Sequence, residues 1–124
     1  MKINFMYPNI RILQLIEGAR DATGLTVVID VCRAFSMAAY LASRGVKEIY
    51  TVGTVEEAFD LRDRLPGVVL VGEVKGRKAD GFDFGNSPTE IIASPNIAER
   101  AVQRTSAGTQ GIINAMHAEE ILTG

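Results

Sequence analysis

The sequence predicts an α/β fold, arranged as a three-layer α/β/α structure with a mixed or mostly parallel sheet. Three observations support this prediction. Predicted strands and helices alternate along the chain, the strands are short runs rich in β-branched residues, and glycine or proline often separates the two. No repeat, low-complexity segment or linker interrupts the 124 residues, so we expect a single domain over residues 1–124.

Hydropathy and chain-breaking residues predict the N-terminal elements. Residues 1–5 alternate weakly in hydropathy and are predicted to form a first strand. In residues 10–22 apolar residues recur at helical spacing, and Gly24 ends this helix. Residues 25–31 form a continuous β-branched run typical of a strand buried on both faces, which places Asp30 near the carboxyl end of a central strand.

The middle of the chain continues the alternation. Residues 35–44 are rich in Ala, Met and Leu and predict a helix, and residues 48–52 predict the next strand. A further helix is predicted over residues 54–64. It opens with Thr54 three positions before Glu57, which is the spacing of a capping box.

The C-terminal elements follow a long polar loop. Residues 68–71 predict a strand, and residues 87–90, Ser-Pro-Thr-Glu, predict a helix start with a second capping box. Residues 101–105 predict a short strand, and residues 110–121 predict a helix. Residues 118–124 resemble a helix end followed by the start of another strand, so we expect the sheet to be incomplete at the C-terminus.

Charge and cysteine content narrow the functional class. Thirteen Lys and Arg against 15 Asp and Glu give a net charge of −2, which offers no excess of positive charge to attract nucleic acid or anionic membrane. Cys32 is the single cysteine and cannot form an internal disulfide. The N-terminus lacks the basic flank and long apolar run typical of a signal peptide, and the apolar runs are shorter than the roughly 18 residues that suggest a membrane span. We therefore expect a cytoplasmic protein.

The segment over residues 72–90, GEVKGRKADGFDFGNSPTE, is the strongest candidate for a functional loop. Its glycines allow backbone N–H groups to approach a ligand, its acids offer metal ligands, and its bases offer partners for an anion. Open α/β sheets bind ligands beyond the carboxyl ends of their strands. Residues 30–33, 73–86 and 104–109 are polar clusters at such positions, so we expect them to converge.

The residue types in these clusters fit a phosphorylated ligand and a hard cation. Asp30, Glu73 and Asp83 are predicted to bind Mg²⁺, which prefers carboxylate oxygens and often also coordinates substrate phosphate. Anion partners are predicted among basic side chains, hydroxyls and free N–H groups of the loops. The candidates are Arg33, Lys75, Arg77, Lys78, Arg104, Thr105, Ser106, Gly108 and Thr109.

Each cluster also has an ordinary structural interpretation. Asp30 could cap a helix or pair with Arg33, residues 104–109 could merely cap the following helix, and the charged loop could be a solvated connection. Cys32 lacks an arginine six positions later, so a cysteine phosphatase mechanism is not expected. The sole histidine, His117, excludes a multi-histidine metal site.

Four segments of the chain resemble the 2-phosphosulfolactate phosphatase family. They are VVIDVCRAFSMAAYLASRG, VGTVEEAF, LVGEVKGRKADGFDFGNSPTEI and VQRTSAGTQGIINA, and they cover most of the chain from Leu25 onward. The resemblance implies a Mg²⁺-dependent phosphatase that removes phosphate from 2-phosphosulfolactate, a step toward coenzyme M. It also implies that this chain is the N-terminal part of a longer fold.

The resemblance and the residue chemistry together define a candidate site. Asp30, Arg33 and Arg104 are predicted to be catalytic, with in-line attack by water and a covalent phosphoenzyme both left open. The predicted substrate-binding residues are Lys75, Arg77, Asn86, Ser87, Thr105, Ser106, Gly108 and Thr109. The competing prediction is a non-catalytic anion-binding or assembly module that needs a partner chain. In either case we expect a homo-oligomer.

Overall fold

The structure is a computed structural model that describes residues 9–30 and 33–124, so the strand predicted over residues 1–5 lies outside the described residues. Helices and strands alternate along the described chain. The helices are α1 (Leu15–Arg20), α2 (Ala34–Ser43), α3 (Val55–Arg64), α4 (Pro88–Ala93) and α5 (Gly108–Asn114). The strands are β1 (Gly24–Val28), β2 (Glu48–Thr51), β3 (Val68–Val74), β4 (Arg77–Lys78), β5 (Arg100–Arg104) and β6 (Ala118–Thr123).

The main sheet has four strands in the order β2-β5-β3-β4. The strands β2, β5 and β3 are parallel, and β4 pairs antiparallel with the end of β3. This arrangement confirms the predicted α/β fold with a mixed, mostly parallel sheet. Gly72 of β3 is paired with Arg104 of β5, so the loops that follow the two strands start side by side.

Apolar residues on both faces of this sheet are covered by helices. On one face, Leu70 and Val102 pack in a buried cluster with Ala58 of α3. On the other face, the neighbouring residues Val71 and Ala101 pack in a second cluster with side chains of α2 and α4. Because successive residues of a strand point to opposite faces, the two clusters lie on opposite sides of the sheet and produce three layers.

The strand β1 is not a central strand, which corrects the sequence prediction. It forms a separate two-stranded parallel sheet with β6, and its residues alternate between exposed and half-buried. The β-branched composition indicated burial on both faces, but the described residues cover only one of them. On that face Gly111 of α5 lies so close to Val28 that an added Cβ would come within 2.8 Å of a Val28 methyl group.

Two helices are shorter than predicted. The helix expected over 10–22 begins only at Leu15, whose φ of 60° is unfavourable for an L-residue. The helix expected over 110–121 ends at Asn114, and Ile121 lies in β6. Pairing with β1 explains the second difference, because parallel ladder bonds to Thr26 and its neighbours replace helical ones.

The capping box predicted at the start of α3 is confirmed. The Thr54 hydroxyl accepts from the Glu57 N–H at 3.1 Å, and the Glu57 carboxylate accepts from the Thr54 N–H at 3.1 Å. The box predicted at α4 does not form. The Ser87 side chain makes no cap bond, and Glu90 instead accepts from the Gly85 N–H at 2.9 Å.

Thr54→Ala is therefore expected to lower the free energy of unfolding by about 1 kcal/mol, the usual cost of losing an N-cap. Ser87→Ala is the matched control, since its hydroxyl caps nothing, and it is expected to leave stability nearly unchanged. Urea unfolding followed by circular dichroism measures both. Equal losses in the two variants would contradict the assignment.

Candidate active site

Glu73 lies at the centre of the candidate site, near the end of β3, and is only 6% exposed. Its carboxylate accepts three hydrogen bonds. The Ser106 N–H donates at 2.6 Å, the Ser106 hydroxyl at 3.0 Å and the Gly76 N–H at 2.7 Å. Glu73 thus joins the turn after β3 to the loop between β5 and α5. Both carboxylate oxygens are already occupied by donors of the protein.

These contacts determine the pKa of Glu73. Burial by itself raises the pKa, but the N–H groups of Ser106 and Gly76, the Ser106 hydroxyl and the Arg104 charge outweigh it. The net result is a pKa below the ordinary value of 4.5. Glu73 therefore stays ionised at neutral pH despite its burial.

Because the folded-state pKa of Glu73 is lowered, its contribution to stability is present above about pH 4.5 and is lost as the pH falls through the folded-state pKa. Glu73→Gln is expected to lower the free energy of unfolding at pH 7 by about 2 kcal/mol, since hydrogen bonds to a charged group are lost. It should also flatten the fall in stability below pH 4.5. Urea unfolding from pH 7 to pH 3 with chelator present measures both effects.

Glu56→Gln is the control for this experiment, because Glu56 is exposed on α3 and makes no side-chain hydrogen bond in the described ranges. It is expected to change neither the stability at pH 7 nor its fall below pH 4.5. If stability falls below pH 4.5 in Glu73→Gln as it does in the parent, Glu73 does not contribute to that fall.

The Arg104 guanidinium lies beside Glu73 and is hydrogen-bonded to residues of separate segments of the chain. Its Nη1 donates to the Glu73 carbonyl at 2.7 Å and to the Ser106 hydroxyl at 3.4 Å, and its Nε donates to the Gly53 carbonyl at 3.2 Å. Its Nη2 has no partner in the part of the chain that the structure describes. The guanidinium is thus oriented by carbonyl groups while one nitrogen remains available to an anion.

The Asp30 carboxylate lies against Gly108, at the end of the loop that contains Ser106. An added Cβ on Gly108 would come within 2.7 Å of an Asp30 carboxylate oxygen and 2.6 Å of the Ala34 methyl group. Glycine at position 108 therefore allows the loop before α5 to approach the end of β1. Asp30 also lines a cleft of about 550 Å³ together with Phe35 and Thr123.

The rest of this loop is buried and closely bonded. Thr105 and Thr109 are 1% and 0% exposed, and the Thr109 hydroxyl accepts from the Thr105 N–H at 2.8 Å. The Thr109 N–H in turn donates to the Thr105 hydroxyl at 3.1 Å. These two side chains shape the loop from inside. Ser106, whose side chain is exposed, is the hydroxyl of this loop that a ligand can reach.

Gln103 is a residue that the sequence analysis missed. It is 1% exposed in β5, and its Nε2 donates at 2.7 Å to the carbonyl of Ala34, the first residue of α2. This bond ties the end of β5 to the start of the helix that follows Asp30. The sequence did contain a signal for this residue. Gln103 follows Ala101 and Val102 in a strand expected to be buried, and a buried polar side chain requires a hydrogen-bond partner.

The charged loop lies at the periphery. Lys75 and Gly76 have φ angles of 51° and 80° and form the two-residue turn between β3 and β4. Lys75, Arg77, Lys78 and Arg33 are all exposed. Lys75, Arg77 and Lys78 follow Glu73 in the β3–β4 hairpin, and Arg33 immediately precedes α2, so all four are exposed bases next to segments of the site.

Asp83 lies away from the end of β3. Its Oδ2 accepts from the Leu70 N–H at 2.8 Å, so it pairs with the edge of the sheet four residues from the end of the strand. Asn86 and Ser87 are partly buried just before α4, and the side-chain amide oxygen of Asn86, Oδ1, is buried without a hydrogen-bond partner in the described ranges. An unsatisfied buried oxygen is uncommon and is consistent with a functional position.

The three predicted metal ligands do not form one group. Within residues 9–30 and 33–124, no cluster of three or more His, Cys, Asp or Glu side chains is arranged to hold a metal ion. Glu73 and Asp83 are bonded to backbone N–H groups. The Asp30 carboxylate has no donor among the described residues. Mg²⁺ often uses one or two carboxylates with water and substrate phosphate, so Asp30 still fits as a ligand.

A comparison with protein-family models shows to which family the chain belongs. The family model for 2-phosphosulpholactate phosphatase matches residues 10–124. The chain belongs to the 2-phosphosulfolactate phosphatase family. This confirms the resemblance seen in the sequence.

Curated relatives of the 2-phosphosulfolactate phosphatase family are similar over most of this chain. A probable 2-phosphosulfolactate phosphatase of Bacillus subtilis (strain 168) is 41% identical over 97 residues, which cover 78% of the chain and 42% of the relative. A probable member from Carboxydothermus hydrogenoformans is 33% identical over 125 residues, covering 100% of the chain and 49% of the relative. The 2-phosphosulfolactate phosphatase of Methanocaldococcus jannaschii is 34% identical over 107 residues, covering 81% and 44%.

The chain thus spans less than half the length of these phosphatases. The matched part contains both loops joined by Glu73 and Ser106, together with Asp30. No helix in the described ranges is long and apolar enough to cross a membrane.

Proposed function

We propose that this chain carries the substrate-binding loops of a phosphatase that hydrolyses a small anionic phosphate ester, with 2-phosphosulfolactate as substrate and sulfolactate and phosphate as products. This reaction is a step toward coenzyme M. The observation that carries the proposal is the meeting of three polar segments at the loop before α5, in a chain of this family. Asp30 adjoins Gly108, and Glu73 and Arg104 both bond to Ser106.

The charges at this point suit the substrate. Phosphosulfolactate carries phosphate, sulfonate and carboxylate groups and needs several cationic and N–H partners. Arg104 would bind the transferring phosphoryl group through its available nitrogen. The exposed Arg33, Lys75 and Arg77 would balance the remaining anionic groups. The Ser87 hydroxyl would add a neutral donor, whereas the Ser106 hydroxyl already donates to Glu73 and would offer a ligand only its oxygen.

Reaction at phosphorus requires charge stabilisation more than covalent help from the protein. Arg104 is held in place by the carbonyls of Glu73 and Gly53, so it requires little reorganisation to stabilise developing negative charge. Glu73 would act indirectly, because its carboxylate holds Ser106 in place through two hydrogen bonds. In this proposal water attacks the phosphorus in line, and the bond between phosphorus and the ester oxygen breaks. The sulfolactate oxygen leaves with the electron pair of that bond and ends as a hydroxyl with a proton from the attacking water, while the phosphoryl group is released as phosphate.

Mg²⁺ is proposed as the cofactor, with Asp30 as its protein ligand and substrate oxygens and water completing the shell. Bound there, it would supply Lewis-acid polarisation of the phosphoryl group. The support in the structure is that Asp30 is only half-buried, lines the cleft and has no competing donor among the described residues. Glu73 and Asp83 would contribute only if they gave up their backbone partners.

Phosphate release from 2-phosphosulfolactate tests the function directly. With the full chain and Mg²⁺, we expect release that stops when chelator is added and returns with excess Mg²⁺. A panel of simple phosphate esters serves as the specificity control. Release that is equal for all esters would contradict the substrate. A folded preparation with no release from any ester would favour the non-catalytic module.

A further inference from the structure

The outer face of the β1–β6 sheet is an apolar surface that no described residue covers. Leu25, Val27 and Ile29 share one side of the first strand and its end, and they are 64%, 53% and 70% exposed. Leu122 of β6 is paired with Val27 and is 47% exposed. These four residues are named the outer face.

The inner face of the same sheet is packed normally. Val28 contacts Gly111 of α5 at a separation that leaves no room for a methyl group, and α5 also packs against α1. Within residues 9–30 and 33–124, one side of the sheet is therefore covered and the other is not. This is unusual for parallel strands, which occur almost only where both faces are covered.

Two further properties argue that the outer face belongs in an interior. A sheet of two strands is marginal by itself and depends on packing against other layers. The run Leu25 to Ile29 contains four aliphatic residues and one Thr, without the polar alternation of a strand that has one solvated side. The sequence is thus that of a strand buried on both faces, and the described residues bury one.

The comparisons show how much polypeptide the curated relatives have outside the matched part. The matched regions make up 42%, 49% and 44% of the three curated relatives described above, so more than half of each relative lies outside the part that this chain matches. A region of that size can form a layer over a two-stranded sheet. Glu120, paired with Leu25 at one end of the face, adds a charge that such a layer can meet with Lys or Arg.

We propose that the outer face is the docking surface for the polypeptide region that these phosphatases carry beyond the part matched here. Apolar side chains of that region pack on Leu25, Val27, Ile29 and Leu122. The docking does not depend on the proposed catalytic function, since it concerns a surface on the opposite side of β1 from Gly108 and α5.

Thiol labelling of the outer face tests this. Val27→Cys and the control Asp63→Cys, on the exposed surface of α3, are made with Cys32→Ser in the background. Each variant is prepared as the full chain alone and as the full chain fused to the unmatched region of the Bacillus subtilis relative. The rate of reaction with a maleimide is measured under native conditions, and urea unfolding establishes that each preparation is folded.

We expect position 27 to react at least tenfold more slowly in the fusion than in the chain alone, with no change at position 63. Equal rates at position 27 in a folded fusion would overturn the proposal. So would slow labelling in the chain alone together with a dimeric sedimentation mass, which would assign the face to a second copy.

A fusion that fails to fold is replaced by co-expression of the chain with the same region as a separate polypeptide. The same two thiols are then compared, with Leu25→Cys as a second outer-face position. Co-purification with slow labelling at positions 25 and 27 supports the proposal. Failure of the two polypeptides to associate counts against it.

Discussion

Asp30→Asn is expected to reduce the rate of phosphate release at least about 100-fold, the usual scale for losing one preorganised electrostatic group in an active site. The carboxylate adjoins Gly108 and lines the cleft, and no described residue donates to it. Its negative charge is therefore available to a cation. The amide keeps the shape of the side chain but is a far weaker ligand for Mg²⁺.

The measurement is turnover of 2-phosphosulfolactate at saturating Mg²⁺ and again at tenfold higher Mg²⁺. Partial rescue by excess metal would show that Asp30 acts through the cation. Asp63→Asn on α3 is the control and is expected to leave turnover unchanged. Unfolding in urea should be nearly the same for the parent and both variants. Undiminished turnover in Asp30→Asn would remove this residue from the mechanism.

Gly72→Ala is expected to lower the free energy of unfolding by about 3–5 kcal/mol, at the upper end of single-residue effects. Gly72 has a φ of 143°, and an added Cβ would overlap the carbonyl oxygen of Arg104. The overlap is with backbone of the adjacent strand, so no side-chain rotation relieves it. Either β3 and β5 separate or the loop holding Glu73 moves.

Gly76→Ala is the matched control for this change. Gly76 also has a positive φ, of 80°, but an added Cβ would meet nothing within 4 Å. It is expected to lose only about 1 kcal/mol, the cost of an L-residue in the left-handed region. Urea unfolding with comparison of m-values measures both. Equal losses would show that backbone conformation, and not contact with Arg104, explains the requirement for glycine.

Local features of the fold could be predicted from the sequence. The Thr54–Glu57 capping box, the extent of α3 and the strand at β2 depend on residues within a few positions of one another, and all three are confirmed. The second capping box failed because Glu90 found a different donor, the Gly85 N–H. The local sequence shows which N–H groups Glu90 could bind. The path of the preceding loop determines which of them lies within reach.

The candidate site could be predicted only in part. Residues 30–33, 73–86 and 104–109 were expected to converge, and the contacts of Ser106 with Glu73 and of Gly108 with Asp30 bring parts of the three clusters together. The sequence pattern could not show whether Asp30, Glu73 and Asp83 form one metal site. A carboxylate near a strand end can bind either a metal ion or a backbone N–H group. Two of the three bind N–H groups here. Their roles as Mg²⁺ ligands stay predictions.

The sequence by itself determined the alternation of strands and helices, the mostly parallel sheet and the family, because these depend on periodicity, chain breakers and ordered motifs that are written locally in the chain. Only the tertiary structure decided that β1 leaves the main sheet, that α5 ends at Asn114 so that β6 begins at Ala118, and that Gln103 anchors α2. Each of these depends on a partner more than 65 residues away. Long-range pairing is selected by the packing of the whole domain, and no local propensity specifies it.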